Sequence, residues 1–98
     1  MKKSNIEMLR ELDNEYTPEN RGFVSMDEIY LINKKLCLDS MNELDLRNLR
    51  DMVVMWYASR MNDEEYTTDE HMKFMDKMSA VTHVIDTKMY NLNLEEYM

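Results

Sequence analysis

LRNLRDMVVMWYASRM, residues 46–61, decides how the rest of the chain reads. Within it Met52–Ala58 is a run of seven uncharged residues that holds the only Trp, Trp56. Good helix formers flank the run and neither Gly nor Pro interrupts it, so it reads as a helix apolar on every side for two turns. Such a helix is normally buried all round. A short chain has few elements to surround it, so the expectation is that the other helices wrap it or that a second subunit does.

The composition agrees with helices. One Gly (Gly22) and one Pro (Pro18) in 98 residues leave little material for the tight turns of a strand-rich fold. Hydrophobic residues at 44% and charged residues at 33% are the balance of a folding domain and not of a disordered tail. The expected architecture is a single all-α domain over 1–98, a small bundle of three to four helices. Because the apolar girth at Met52–Ala58 exceeds what a small bundle buries, a homo-oligomer through the central and C-terminal helices is expected.

Capping signatures place the helices. Ser4-Asn5-Ile6-Glu7 has the S-x-x-E form, in which the Ser and Glu side chains satisfy orphan amides at a helix start. Ile6, Leu9 and Leu12 follow at helical spacing, and a first helix is expected at about 5–16. Ser25-Met26-Asp27-Glu28 repeats the signature and opens a helix at about 26–38. Ser40-Met41-Asn42-Glu43 does so again before the central helix, at about 41–62. Without Gly or Pro between these two, a tight corner at 38–40 is expected in place of a loop, with one continuous helix over 26–62 as the alternative. Thr67-Thr68-Asp69-Glu70 starts the last helix, at about 68–91. Its Met75, Met78, Thr82, Ile85, Met89 and Leu92 alternate steps of three and four, a coiled-coil-like stripe widened by Phe74 and Val81. Residues 93–98 read either as a last helical turn or as a tail. The segment 17–24, TPENRGFV, is the one clear loop of the first half, and Phe23 and Val24 are expected to staple it to the core.

Charge and cysteine content narrow the function classes. The formal net charge of −8 opposes direct nucleic-acid binding, because phosphate contacts need clustered Lys and Arg. The lone Cys37 admits neither an intramolecular disulfide nor a cysteine zinc site, and its place at the end of the second helix reads as a small buried hydrophobe. The start, MKKSNIEMLRELDNE, has two lysines with no apolar run behind them, so no secretory signal is expected, and no window has the length of a membrane span. A cytoplasmic location follows, the host cytoplasm if the protein is viral.

Few residues invite chemistry. Asp76, Ser79, His83 and Asp86 share one stripe of the last helix with Met72 and Tyr90, a pattern that could hold a metal or relay a proton. No second histidine motif completes a metal sphere, so the stripe reads as a solvated helix face. With a single Gly, no P-loop and no glycine-rich dinucleotide loop can form. No enzyme, cofactor or metal is expected.

Three interaction readings remain. The acidic run Asp63, Glu64, Glu65, Asp69 and Glu70 offers a negative patch for a basic partner protein. Arg47 and Arg50, with Lys34 and Lys35 and the rings of Tyr16 or Tyr30, offer a site for a nucleotide-like anion between helices. Met52, Met55, Trp56, Tyr57, Met75, Met78, Ile85 and Met89 form the core or an oligomer interface, and the chain's twelve methionines suit an adaptable surface. In size, acidity and Met-, Asn- and Tyr-rich composition the chain resembles the small accessory proteins of bacteriophages. The leading expectation is therefore a non-enzymatic inhibitor that binds a host enzyme or defence complex. An oligomeric sponge for a nucleotide signal and a structural or assembly subunit are the alternatives.

Overall fold

A computed structural model describes residues 3–97. It contains four helices, α1 (Asn5–Glu15), α2 (Met26–Leu36), α3 (Glu43–Met61) and α4 (Thr68–Tyr97), with a short 3₁₀ turn at Leu38–Ser40. Among the described residues there is no strand, only an isolated bridge between Asn20 and Phe23. The all-α bundle read from composition is the fold. Its 30-residue α4 has an ideal length of about 45 Å, and the molecule's longest dimension is 47 Å. The last helix therefore sets the long axis, and it runs without a break through the 93–97 segment. Met98 lies outside the described residues.

The chain folds as two helical hairpins. α1 packs on α2 and α3 packs most extensively on α4, while α1–α3 and α2–α4 contacts join the pairs. One core runs through the joint. Leu9 and Leu12 of α1, Ile32 and Leu36 of α2, Leu46, Leu49, Val53 and Tyr57 of α3, and Val81 and Ile85 of α4 are all fully buried. Leu38, from the 3₁₀ turn, is buried with them.

The central helix departs from its reading. Its buried residues recur at steps of three and four, a narrow stripe and not a full circumference. Val53 and Tyr57 are inside, Met52, Val54, Trp56 and Ala58 are half-buried, and Met55 is 72% exposed. The chain's own helices leave part of α3 uncovered, because α4 lies along one side and α1 packs on it far less extensively. The stripe on α4 is also rotated from the expected one. Met75 is exposed and Ala80 and Val84 are buried, because α4 is covered by α3 on one flank and by α2 and its preceding loop on the other. Met78, Val81, Ile85, Met89 and Leu92 keep their expected places in or against the core.

The caps behave unequally. Ser4 accepts from the Glu7 amide at 3.2 Å, and Thr67 and Glu70 form a complete reciprocal box at 3.2 and 2.9 Å. The signature at Ser40 is a correction. Ser40 sits in the 3₁₀ turn and donates to the Cys37 carbonyl, while Asn42 and Asp45 form the reciprocal box that starts α3. The tight corner at 38–40 is present and excludes a continuous helix. It turns on Cys37, which adopts φ 54 at the end of α2, the left-handed position usually filled by Gly. Cys37 is exposed there, contrary to its reading as a buried hydrophobe. Phe23 likewise is 64% exposed and no staple, and Val24 alone packs on the core.

Two polar contacts hold the hairpins and the first loop. Asp13, in the last turn of α1, accepts the Tyr57 hydroxyl of α3 at 2.9 Å. Lys77 of α4 donates to the Asp13 carbonyl at 2.9 Å and to its carboxylate at 3.1 Å. The second contact is Glu28. Its amide is capped by Ser25, but its side chain, buried at 6% exposure, turns inward. There it accepts the Tyr16 hydroxyl and the Glu19 amide, each at 3.1 Å. A buried carboxylate is tolerated only with such donors.

Asp13→Ala leaves the Tyr57 hydroxyl and the Lys77 ammonium without their acceptor and is expected to cost about 2–3 kcal/mol in urea denaturation. Tyr57→Phe, which removes a single hydrogen bond, is expected to cost about 1 kcal/mol. Equal losses would show that Asp13 does not join the three helices. Alkali gives a second test. Burial first, then the neighbouring carboxylates Asp13 and Glu28 and their hydrogen bonds, push the Tyr57 and Tyr16 hydroxyls above the ordinary value of 10.0. Their contribution to stability is thus complete below that value and is lost as pH rises through it toward the folded-state pKa. Phenolate absorbance should contain a component that ionises only with loss of helix, and Tyr57→Phe should reduce it.

Candidate interaction surface

A groove of about 750 Å³ opens between the first loop and the outer flank of α4. The loop supplies Pro18, Asn20, Arg21, Gly22, Phe23 and Val24, and α4 supplies Met72, Met75, Asp76, Ser79, Ala80 and His83. Its shape follows from the sequence. Residues 20–23 make a tight turn closed by the Asn20–Phe23 bridge, with Gly22 at φ 78, a conformation that side chains rarely adopt. Nothing lies within 4 Å of a Cβ built on Gly22, so backbone conformation and not space calls for glycine. Glu28 holds the near end of the loop through the Glu19 amide, and Arg21 reaches across to Asp76 at 3.6 Å. Exposed Phe23, Met72 and Met75 give the groove an apolar lining between these polar ties.

The polar stripe of α4 falls partly in this groove. Asp76, Ser79 and His83 line it, whereas Asp86 is held by Arg50 of α3 at 2.7 Å. Tyr90 is exposed further along. Both carboxylates of the stripe thus have guanidinium partners, and no group of three His, Cys, Asp or Glu side chains that could hold a metal ion gathers among the described residues.

The acidic run divides into structural and unengaged members. Asp63 accepts the Glu65 amide at 2.9 Å and Glu70 completes the Thr67 cap. Glu64, Glu65 and Asp69 are exposed and take part in no ion pair among the described residues. Asp69 stands one helical turn from Met72 and two from Asp76, so the acidic start of α4 runs into the groove.

The residues considered for a nucleotide-like anion are dispersed. Arg47 pairs with Glu43 at 2.9 Å, Arg50 with Asp86, and Lys35 with Glu15 at 2.6 Å. Tyr16 is buried with its hydroxyl on Glu28, and Lys34 and Tyr30 are exposed on α2. Of the proposed core or interface residues, Tyr57 and Ile85 are fully buried, Met52, Trp56, Met78 and Met89 are half-buried, and Met55 and Met75 are exposed.

Two features escaped the sequence reading. One is the pairing of the first loop with α4, which joins residues about fifty positions apart and has no local signal. The other is a stack on α3, where the Arg60 guanidinium lies 3.7 Å from the Trp56 ring centroid and that of Arg10 lies 6.0 Å away. The four-residue spacing of Trp56 and Arg60 announces half of it. Comparison with family models, with curated proteins and with solved structures finds no match to this chain.

If Phe23 serves the surface and not the fold, Phe23→Ala should leave the stability within about 0.5 kcal/mol of the parent. Thermal denaturation checks this, and a loss typical of a buried aromatic, about 3 kcal/mol or more, would return Phe23 to the core.

Proposed function

We propose that this chain is a non-enzymatic interaction protein that docks a partner protein on the groove between the first loop and α4. The observation that carries the reading is the groove itself, an open cleft of about 750 Å³ whose exposed lining is Phe23, Met72 and Met75. Soluble proteins rarely leave contiguous apolar surface open unless it binds something. Methionine suits the purpose, because its unbranched thioether repacks around differently shaped partners. A supported framework lies beneath, with Glu28 and the Arg21–Asp76 pair fixing the loop.

The chemistry of the rim selects the partner. Asp69 at the head of α4 continues toward the groove, and the net charge is −8, so a partner with an apolar anchor flanked by Lys or Arg fits best. The acidic members Glu64 and Glu65 extend the same sign of charge along the connection between α3 and α4. A host enzyme or a defence complex is the partner class that the chain's phage-like composition suggests, and inhibition follows if the groove caps a surface that partner needs.

Met75→Glu places a charge on the lining without touching the core and should weaken partner retention by a hundredfold or so, about 3 kcal/mol, with an unchanged thermal midpoint. Native mass spectrometry of the protein purified gently from its own background measures retention directly. A partner retained equally by Met75→Glu and by Phe23→Ala would place its binding elsewhere on the molecule.

A further inference from the structure

We propose that Arg10, Trp56 and Arg60 form a second site, on the α1–α3 side of the molecule, that binds a phosphate monoester dianion. The observations are independent of the groove. Seven cations of this acidic chain are engaged in ion pairs, and neither Arg10 nor Arg60 is among them within the described residues. Both instead converge on one indole, at 6.0 and 3.7 Å from its centroid. Two guanidiniums that meet on one indole, neither within ion-pair distance of a carboxylate among the described residues, place two positive charges side by side in a chain of net charge −8.

The geometry is prepared for an oxyanion. Arg60 is held twice, by stacking on Trp56 and by donating one Nη1–H to the Trp56 carbonyl at 3.1 Å. A guanidinium over a ring, with one N–H on a carbonyl, keeps further N–H donors for other acceptors, and a planar fork of N–H donors matches phosphate oxygens in pairs. Holding it in advance removes most of the ordering cost of binding. Arg10 is exposed and further from the ring, so it is the arm that closes on the ligand. Trp56 packs against the core, and its Nε1 is buried and has no acceptor among the described residues, so the indole offers the ligand its rim and not its N–H. Two full positive charges favour a dianion over a monocarboxylate, and a phosphate monoester reaches about −2 above a second pKa near 6.

Trp56 is the only Trp, so its fluorescence reports this site alone. The test is a titration of the whole protein with inorganic phosphate and, separately, with O-phosphoserine, sodium chloride holding the ionic strength constant. The expected result is a saturable change in emission that weakens roughly tenfold or more in Arg60→Ala and in Arg10→Ala. Arg60→Lys, which keeps the charge and loses the fork, should also bind more weakly than the parent. Binding of O-phosphoserine should fall between about pH 7 and 5 as it loses its second charge. Phosphoserine should bind more tightly than inorganic phosphate, and equal or weaker binding would overturn the monoester as the ligand. An emission change that does not saturate, or that is the same in both alanine variants, overturns the site. Circular dichroism confirms the fold of each variant, and Arg10→Ala, on an exposed residue, carries the test if Arg60→Ala does not fold. Met75→Glu should leave this titration unchanged, which keeps its outcome separate from that of the groove.

Discussion

Asp13 is the point at which the two hairpins become one molecule. It sits in the last turn of α1, and through one carboxylate and one carbonyl it holds Tyr57 of α3 and Lys77 of α4. Apolar contact across the joint is non-directional and would tolerate sliding of one hairpin on the other. Hydrogen bonds to a largely buried carboxylate do not, because a small displacement leaves a charge or a hydroxyl without a partner. The joint is reinforced at its edges by Lys88 on Asp39 and by Arg21 on Asp76, both linking α4 to the first half of the chain. These two are more exposed, and pairs of that kind contribute little individually. The register of the bundle therefore rests on Asp13.

How much of this was legible in the sequence depends on the range of the interaction. Helices announced by local chemistry were found where they lie, since Ser4, Ser25 and Thr67 act on amides three residues away. Ser40 has the same spelling and a different role, because the chain needs an extended residue, Met41, to leave the 3₁₀ turn before α3 can start. Asn42 then inherits the cap. Nothing in a four-residue window distinguishes these cases. Cys37 taking a left-handed conformation is similarly silent, since that position usually shows itself through Gly.

Faces were harder to read than elements. The run Met52–Ala58 looks uniformly apolar, but hydrophobic character states only what a residue tolerates, and the neighbours decide what is covered. With α4 on one flank and α1 covering α3 far less extensively, Met55 is left outside. The groove was hidden for a related reason. Its loop half and its helix half are far apart in sequence, and the residue that fixes the loop half, Glu28, reads locally as half of a capping box. Buried, it becomes the anchor of the loop instead. The candidate site was thus legible on its α4 half, where the stripe through Asp76, Ser79 and His83 was visible, and illegible on the other.

Charge pairing separates framework from surface in this molecule. Lys3, Arg21, Lys35, Arg47, Arg50, Lys77 and Lys88 each meet a carboxylate, and six of those pairs join different elements or the chain end to α1. In a chain with twenty acidic residues and twelve basic ones, carboxylate partners are plentiful. A guanidinium that lies on an indole has been drawn there by the ring's negative face, aided at Arg60 by a backbone carbonyl. The contrast gives positive charge a meaning here that composition alone withholds. Where it pairs across elements it ties the bundle, and at Arg10 and Arg60, which meet an indole and no carboxylate within ion-pair distance, it remains available to an anion from outside.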